Sequence, residues 1–211
     1  GVLEYGVQAG LIFCLAREFD HRLNEIIVEK AIRYQRRGVV GIDLAGTERN
    51  ALELDPAVVG KYRDLFAHAR KAGLKTTVHT GETAGTGAEG VRAVVEQLEP
   101  DRIGHGIRAA QDEKVMGLLR ERGVTLEVCP TSNLATRAVS GTAEMREVLQ
   151  KLWRAGVRFT INTDGPYLLD TDMRREVEML RRDGVLADEQ IDQAFRWARE
   201  ASFVEAARPG G

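Results

Sequence analysis

The chain has 211 residues, 30 Lys plus Arg against 32 Asp plus Glu, a net charge of −2, 43% hydrophobic and 29% charged residues. This is the balance of one ordinary globular domain, taken as residues 1–211; it excludes a disordered chain, a collagen and a disulfide scaffold. With no basic surplus, neither nucleic acid nor an anionic membrane is expected as partner.

No apolar run approaches the roughly 18 to 20 residues that cross a bilayer, and no basic segment followed by a long apolar stretch opens the chain, so a cytoplasmic setting is expected. The two cysteines, Cys14 and Cys129, fall in or at the end of apolar runs. They are read as buried free thiols rather than a disulfide.

Short Val/Ile/Leu-rich runs alternate with amphipathic stretches along the chain, the pattern of parallel β/α units. The first strand is expected at Gly10 to Leu15, then a helix from Asn24 to Arg37 that stops at Gly38. A second strand follows at Val39 to Leu44, and a helix from Pro56 to Lys71 with Asp55 as N-cap, Pro56 in its first turn and Gly73 beyond its end. Next come strand Leu74 to His79, helix Gly87 to Leu98, strand Arg102 to His105, helix Asp112 to Arg122 and strand Val124 to Cys129. Helix Thr142 to Ala155, strand Val157 to Thr163, helix Thr171 to Arg182 and a last helix from Asp188 to about Ala207 complete the set. Gly123 and Gly156 sit where a left-handed residue ends a helix. The strands read as continuous apolar runs, as expected of strands covered on both faces.

Six consecutive β/α units fit either a doubly wound sheet or most of a (β/α)8 TIM barrel. The first strand leads into Leu15-Ala16-Arg17-Glu18, which is no glycine-rich phosphate turn. Polar residues collect instead at the C-terminal ends of several strands, where a barrel places its catalysis. These ends read Asp43-Leu44-Ala45-Gly46, His79-Thr80-Gly81-Glu82, Gly104-His105-Gly106, Cys129-Pro130-Thr131-Ser132-Asn133 and Asn162-Thr163-Asp164-Gly165-Pro166.

Of the four histidines, His21 and His68 sit among charged neighbours and read as solvated surface residues. His79 and Asp164, at two strand ends, are an imidazole and a carboxylate of the kind a divalent metal accepts; a packed core histidine and a turn-capping aspartate are the plain alternatives. Glu82 lies three residues after His79, where a partly buried carboxyl can hold and donate a proton or simply face a helix N-terminus. His105, between two glycines that leave its ring exposed at the rim, suits a base or a ligand of metal-bound water as well as a hydrogen-bonded rim histidine. Cys129, before Pro130 with no cation near it in sequence, reads as an inert thiol. The segment Thr86-Gly87-Ala88-Glu89-Gly90 reads as a plain helix entry.

Taken together and in order, these strand-end motifs, with Gly41-Ile42-Asp43-Leu44-Ala45-Gly46, resemble the adenosine deaminase family over nearly the whole chain. The resemblance implies a zinc-dependent (β/α)8 barrel that hydrolyses the 6-amino group of adenosine-type purines and releases ammonia. Carried over by position, it makes His79 and Asp164 zinc ligands and Glu82 the donor of a proton to the purine ring. It makes His105 the residue that orients or deprotonates the attacking water, and it has the Gly46 backbone N–H meet the purine, a small-molecule nucleoside.

The resemblance also carries two departures. The family's His-x-His pair, which supplies two further zinc ligands from its first barrel strand, is absent from these 211 residues. About two β/α units are therefore expected to be missing at the start, leaving an open barrel with an exposed apolar interior. Gly165 stands where many adenosine deaminases carry a second Asp at the purine, a substitution shared with deaminases of 6-aminodeoxyfutalosine; on that alternative Tyr167 to Asp170 border a larger substrate. Two other readings stay open: a barrel metallohydrolase acting on an amide or phosphoester, and a truncated, catalytically incompetent barrel that serves as a binding module.

Overall fold

The computed structural model describes residues 6–48 and 55–204. Six strands form one all-parallel sheet, each hydrogen-bonded to the next in the chain: β1 (Leu11–Ala16), β2 (Val39–Ala45), β3 (Lys75–Thr80), β4 (Arg102–His105), β5 (Thr125–Val128) and β6 (Phe159–Ile161). Between and after them lie α1 (His21–Arg33), α2 (Pro56–Lys71), α3 (Gly87–Leu98), α4 (Glu113–Arg122), α5 (Pro130–Ala135), α6 (Thr142–Arg154), α7 (Pro166–Leu169), α8 (Met173–Arg182) and α9 (Asp188–Glu200). Strictly sequential parallel order is the order of barrel staves, and a doubly wound sheet would reverse it at some point.

The strand register separates the two faces. Leu15, Leu44, Val78, Ile103, Leu126 and Phe159 are paired neighbour to neighbour across all six strands, and each is completely buried. This row joins one core with Val28, Phe66, Val91, Val94, Leu119, Met145 and Leu149 from the helices. Because side chains alternate along a strand, the residues between them face the other way. That other face is polar: Cys14, Asp43, Thr77 and Arg102 form one row, and His79, Gly104, Glu127 and Thr160 the next.

The strands are thus half apolar and half polar, not apolar on both faces, and the expected apolar interior is replaced by a polar one. Thr77 Oγ1 donates to Glu127 Oε2 at 2.7 Å, and Arg102 Nε lies 2.9 Å from Glu127 Oε1. The Arg102 guanidinium stacks on the Phe203 ring at 3.5 Å, so the lower end of this face is filled by ion pair and stacking. Exposed large apolar residues collect near the outer strands instead: Val7, Leu11, Ile12, Phe19 and Leu23 around β1, and Tyr167, Leu168 and Met173 after β6.

Local signals account for most element ends. Asp55 caps α2 by accepting from Ala57 N–H with Pro56 in the first turn, Asp112 caps α4, and Gly123 and Gly156 are left-handed at φ 67° and 72°. The first helix begins at His21 rather than Asn24, because the Asp20 side chain accepts from Leu23 N–H; it ends at Arg33, and Gln35–Arg37 form a separate 3-10 turn. Asn24 is buried inside that helix and fastens it to β1, donating to Ala16 O (3.0 Å) and accepting from Ala16 N–H (3.2 Å). The last strand is three residues rather than seven, since beyond it the Asn162 side chain donates to Thr160 Oγ1 and Val128 O. The last helix ends at Glu200, and Glu205 to Ala207 lie outside the described residues. Both cysteines are free; Cys129 is buried as expected, whereas Cys14 is exposed. Among the described residues no helix is long and apolar enough to cross a membrane.

Candidate active site

At the C-terminal edge of the sheet, five strand ends bring together every residue singled out for chemistry. His79 is the penultimate residue of β3. Its Nδ1 lies 2.8 Å from Asp43 Oδ2 of β2, at ion-pair distance although out of line for a hydrogen bond. That carboxylate outweighs burial and raises the imidazole to about 9. With Nδ1 turned to Asp43, Nε2 is the nitrogen left to face the mouth. The His79 carbonyl is held from behind by the buried Arg17, whose Nη2 donates to it at 2.6 Å. A Cβ on Gly104 would lie 2.9 Å from the His79 ring, so the glycine before His105 serves to admit His79.

His105 ends β4. Its ring is buried, contrary to the exposed rim position expected of it, and stands edge-on to His79 at 5.4 Å between centroids. Its Nδ1 lies 3.0 Å from Asn133 Nδ2, and its Nε2 3.6 Å from Glu82 Oε2. Asn133 Nδ2 also lies 3.4 Å from Glu82 Oε1, so the Asn133 amide stands between the imidazole and the carboxyl. Burial lowers the His105 pKa, with the Glu82 charge opposing and His79 adding to the shift. Backbone strain marks the position: His105 has φ 60° and Asp164 φ 55°, left-handed values that non-glycine residues rarely hold without a packed surround.

Glu82 is mostly shielded. Its Oε1 accepts from Thr136 Oγ1 at 2.9 Å, and its main chain is held separately from the β2 side, where Glu48 accepts from its N–H at 3.0 Å. Asp164, beyond β6, is exposed, and its Oδ2 accepts from Ser132 Oγ at 2.7 Å. Gly46 holds φ 107°, a conformation that a side chain strains, and lies against the exposed Glu18 carboxylate that accepts from Thr47 N–H. Gly165 is different: its backbone is unstrained, and the nearest atom to a Cβ there would be Leu168 Cβ at 3.8 Å, so the position tolerates a larger residue.

Donor atoms of His105, Cys129 and Asp164 lie within 4.8 Å of one another, the group of metal-binding type found among the described residues. His79, expected beside Asp164 in that role, stands one ring away from this group and makes its own ion pair with Asp43. Cys129 is the unexpected member. Burial, reinforced by the charges of Asp164 and Glu127, pushes its thiol well up, so it stays protonated and offers a poor ligand or nucleophile without an ion. The two remaining histidines are surface residues: His68 pairs with Glu29 (2.9 Å) and His21 with Glu25 (3.2 Å).

Asp43, Ser132 and Asn133, which the strand-end motifs contain without a role of their own, and Thr136, which no motif includes, are further contributors. An acidic residue inside the apolar run Val39–Ala45 was a usable signal for the first. Ser132 and Asn133 belong to the short helix α5 and Thr136 caps its end, and only the fold shows which groups at the mouth they reach.

The chain is similar to known proteins. The family model described as adenosine deaminase matches residues 1–209. An aminodeoxyfutalosine deaminase of Acidothermus cellulolyticus is 39% identical over 187 residues, which are 86% of this chain and 50% of that protein. An adenine deaminase of Rhizobium rhizogenes is 36% identical over 202 residues, 96% of this chain and 60% of that protein. Among solved structures, an amidohydrolase from Burkholderia ambifaria with bound Zn superposes with a TM-score of 0.81 at 25% identity, covering 97% of this chain and 54% of that one. The chain therefore spans about half the length of the curated relatives it matches. Its sequential parallel sheet is the corresponding part of an amidohydrolase (β/α) barrel, and the chain belongs to the adenosine deaminase family.

Proposed function

We propose that the protein containing this chain removes the 6-amino group of an adenine-like purine by hydrolysis and releases ammonia. The observation that carries this reading is the meeting, at one barrel mouth, of a shielded carboxyl (Glu82), a buried imidazole whose Nε2 faces it (His105) and an exposed carboxylate held by a serine (Asp164). Family membership and the activities named for the relatives support it.

The residues fit a divalent metal ion of the zinc type. His79 is turned by Asp43 so that Nε2 is free to ligate, and a carboxylate behind a ligating imidazole is the usual supporting partner. Asp164 offers the oxygen ligand. On this reading His79 and Asp164 would hold one Zn2+, with the two further ligands of the family's His-x-His pair having to be supplied from outside these residues. The bound ion supplies a water acidified to a pKa of about 7.

The chain's own residues carry the remaining steps. Glu82 gives a proton to a ring nitrogen of the purine, which removes charge that would otherwise build there as C6 is attacked. His105 orients the incoming water or takes its proton, and that proton passes to the departing amino group, which leaves as ammonia. The Gly46 N–H meets the purine edge, and glycine suits the position because a side chain is strained at its φ of 107°.

Among 6-aminopurines, a derivative larger than adenine is the second reading. It is favoured by the vacant space at Gly165 and by the exposed Tyr167 and Leu168 that follow it.

The test is ammonia release by the complete protein on adenine, adenosine and aminodeoxyfutalosine, with metal content measured on the same sample. Ammonia from at least one of them is expected with about one zinc per chain. A zinc-loaded protein inert on all three would point to another hydrolase reaction, and a protein that takes up no metal would favour a binding module.

A further inference from the structure

Glu48 is a buried carboxylate to which the chemistry above gives no part. It stands just beyond β2, two residues after Gly46, and reaches across to the loop that follows β3. Oε1 accepts from Glu82 N–H at 3.0 Å; Oε2 accepts from Thr83 N–H at 2.9 Å, Thr83 Oγ1 at 2.7 Å and Thr86 Oγ1 at 2.9 Å. Thr86 Oγ1 accepts in turn from Gly81 N–H at 2.9 Å. The backbone from Gly81 to Thr86 is thus wrapped around one side chain from the neighbouring strand. Burial works against the Glu48 charge, but four donors hold its pKa below the usual glutamate value.

A carboxylate that merely closed a loop could take any amide in it. This one takes the amide of Glu82 itself, while the Glu82 carboxyl is held at its far end by Thr136 of the β5 side. The acid is therefore fixed at both ends, from two different strands. Glu48 follows Gly46 by two residues along the chain, so it links the amide that meets the purine covalently to the acid that it holds by a hydrogen bond.

We propose that Glu48 is a positioning residue for Glu82, setting the distance between the proton donor and the purine-binding amide while touching neither substrate nor metal. The proposal rests on the deaminase reading. A misplacement of about 1 Å in a reacting group costs on the order of a hundredfold in rate. Glu48→Gln, which turns acceptors into a donor that faces other donors, is therefore expected to lower kcat by about ten- to a hundredfold.

The experiment uses the complete protein and four forms: parent, Glu48→Gln, Glu82→Gln and the double variant. Glu48→Gln should lower kcat with KM and zinc content little changed. The double variant should be no slower than Glu82→Gln, because a residue that acts through Glu82 has nothing left to act on. Amide hydrogen exchange at Glu82 and Thr83 should speed up at least about tenfold in Glu48→Gln and stay at the parent rate in Glu82→Gln.

Turnover of Glu48→Gln within about twofold of the parent overturns the proposal, and so do losses that multiply in the double variant. If the parent releases no ammonia from any 6-aminopurine, it is the deaminase reading that fails; the exchange rates still decide whether Glu48 holds the Glu82 amide. Should Glu48→Gln not fold, Thr83→Val removes one donor to Oε2. A smaller loss of turnover, absent in a Glu82→Gln background, is then expected, and an unchanged rate overturns the proposal.

Discussion

Gly106→Ala isolates what the backbone around His105 costs. Gly106 has φ +66°, and a Cβ there would lie 2.6 Å from Leu126 Cδ2 and 3.0 Å from Ile103 Cγ2. Both neighbours are completely buried in the sheet's apolar row and have no room to retreat. The left-handed conformation costs an alanine about 1–2 kcal/mol. Forcing a methyl into a packed core adds about 1–3 kcal/mol. The sum, about 2–5 kcal/mol, is a large share of the roughly 5–15 kcal/mol that holds a domain together. With a urea slope of about 1–3 kcal/mol per M, the unfolding midpoint should fall by on the order of 1–2 M.

The two contributions can be separated, because the overlap involves Leu126 and the φ strain does not. In a Leu126→Ala background, Gly106→Ala should cost less, the strain of about 1–2 kcal/mol plus the smaller crowding against Ile103. A loss below about 0.5 kcal/mol in the parent, or an identical loss in both backgrounds, would refute the account of this turn.

Three further outcomes are expected. Glu82→Gln in the complete protein should lower turnover by at least about a hundredfold with zinc retained, and near-normal turnover would remove Glu82 from the proton-donor role. Ser132→Ala should weaken zinc affinity by about 10- to 100-fold, read by competition with a chelator, since the serine hydroxyl is what orients Asp164; unchanged affinity would count against Asp164 as a ligand. Glu48, whose pKa is lowered on folding, contributes stability that is present above the unfolded glutamate value and fades as pH falls through the folded one. The stability gap between parent and Glu48→Gln should accordingly close on acidification below about pH 4.5, and a gap that does not narrow would contradict a lowered pKa.

Much of this was legible in the chain itself, for reasons that differ by element. Helix α2 was readable to the residue because Asp55, Pro56 and the glycine after its end are local signals, needing no partner. The two faces of the strands were not readable as such. Thr77, Arg102 and Glu127 look like interruptions in apolar runs until the register sets them side by side on the inner face. The same limit applies at the mouth. His79, Glu82, His105 and Asp164 stand out as chemical types at strand ends, but the ring of support behind them comes from residues far apart in sequence. Asp43 to His79, Ser132 to Asp164 and Glu48 to Glu82 are contacts of tertiary structure. The burial of His105 was misjudged because its flanking glycines suggested openness, whereas one admits the His79 ring and the other makes a turn.

The sequential order of the sheet has a consequence for assembly. Each strand docks on its immediate predecessor, so contacts close over short stretches of chain and the sheet can grow one unit at a time, as repeat proteins do. The mouth does not grow that way. Asp43 comes from the second strand, Asp164 from beyond the sixth, and no adjacent pair of units holds more than a fraction of the groups required. A partly folded chain can thus have sheet and core before the groups at the strand ends are assembled.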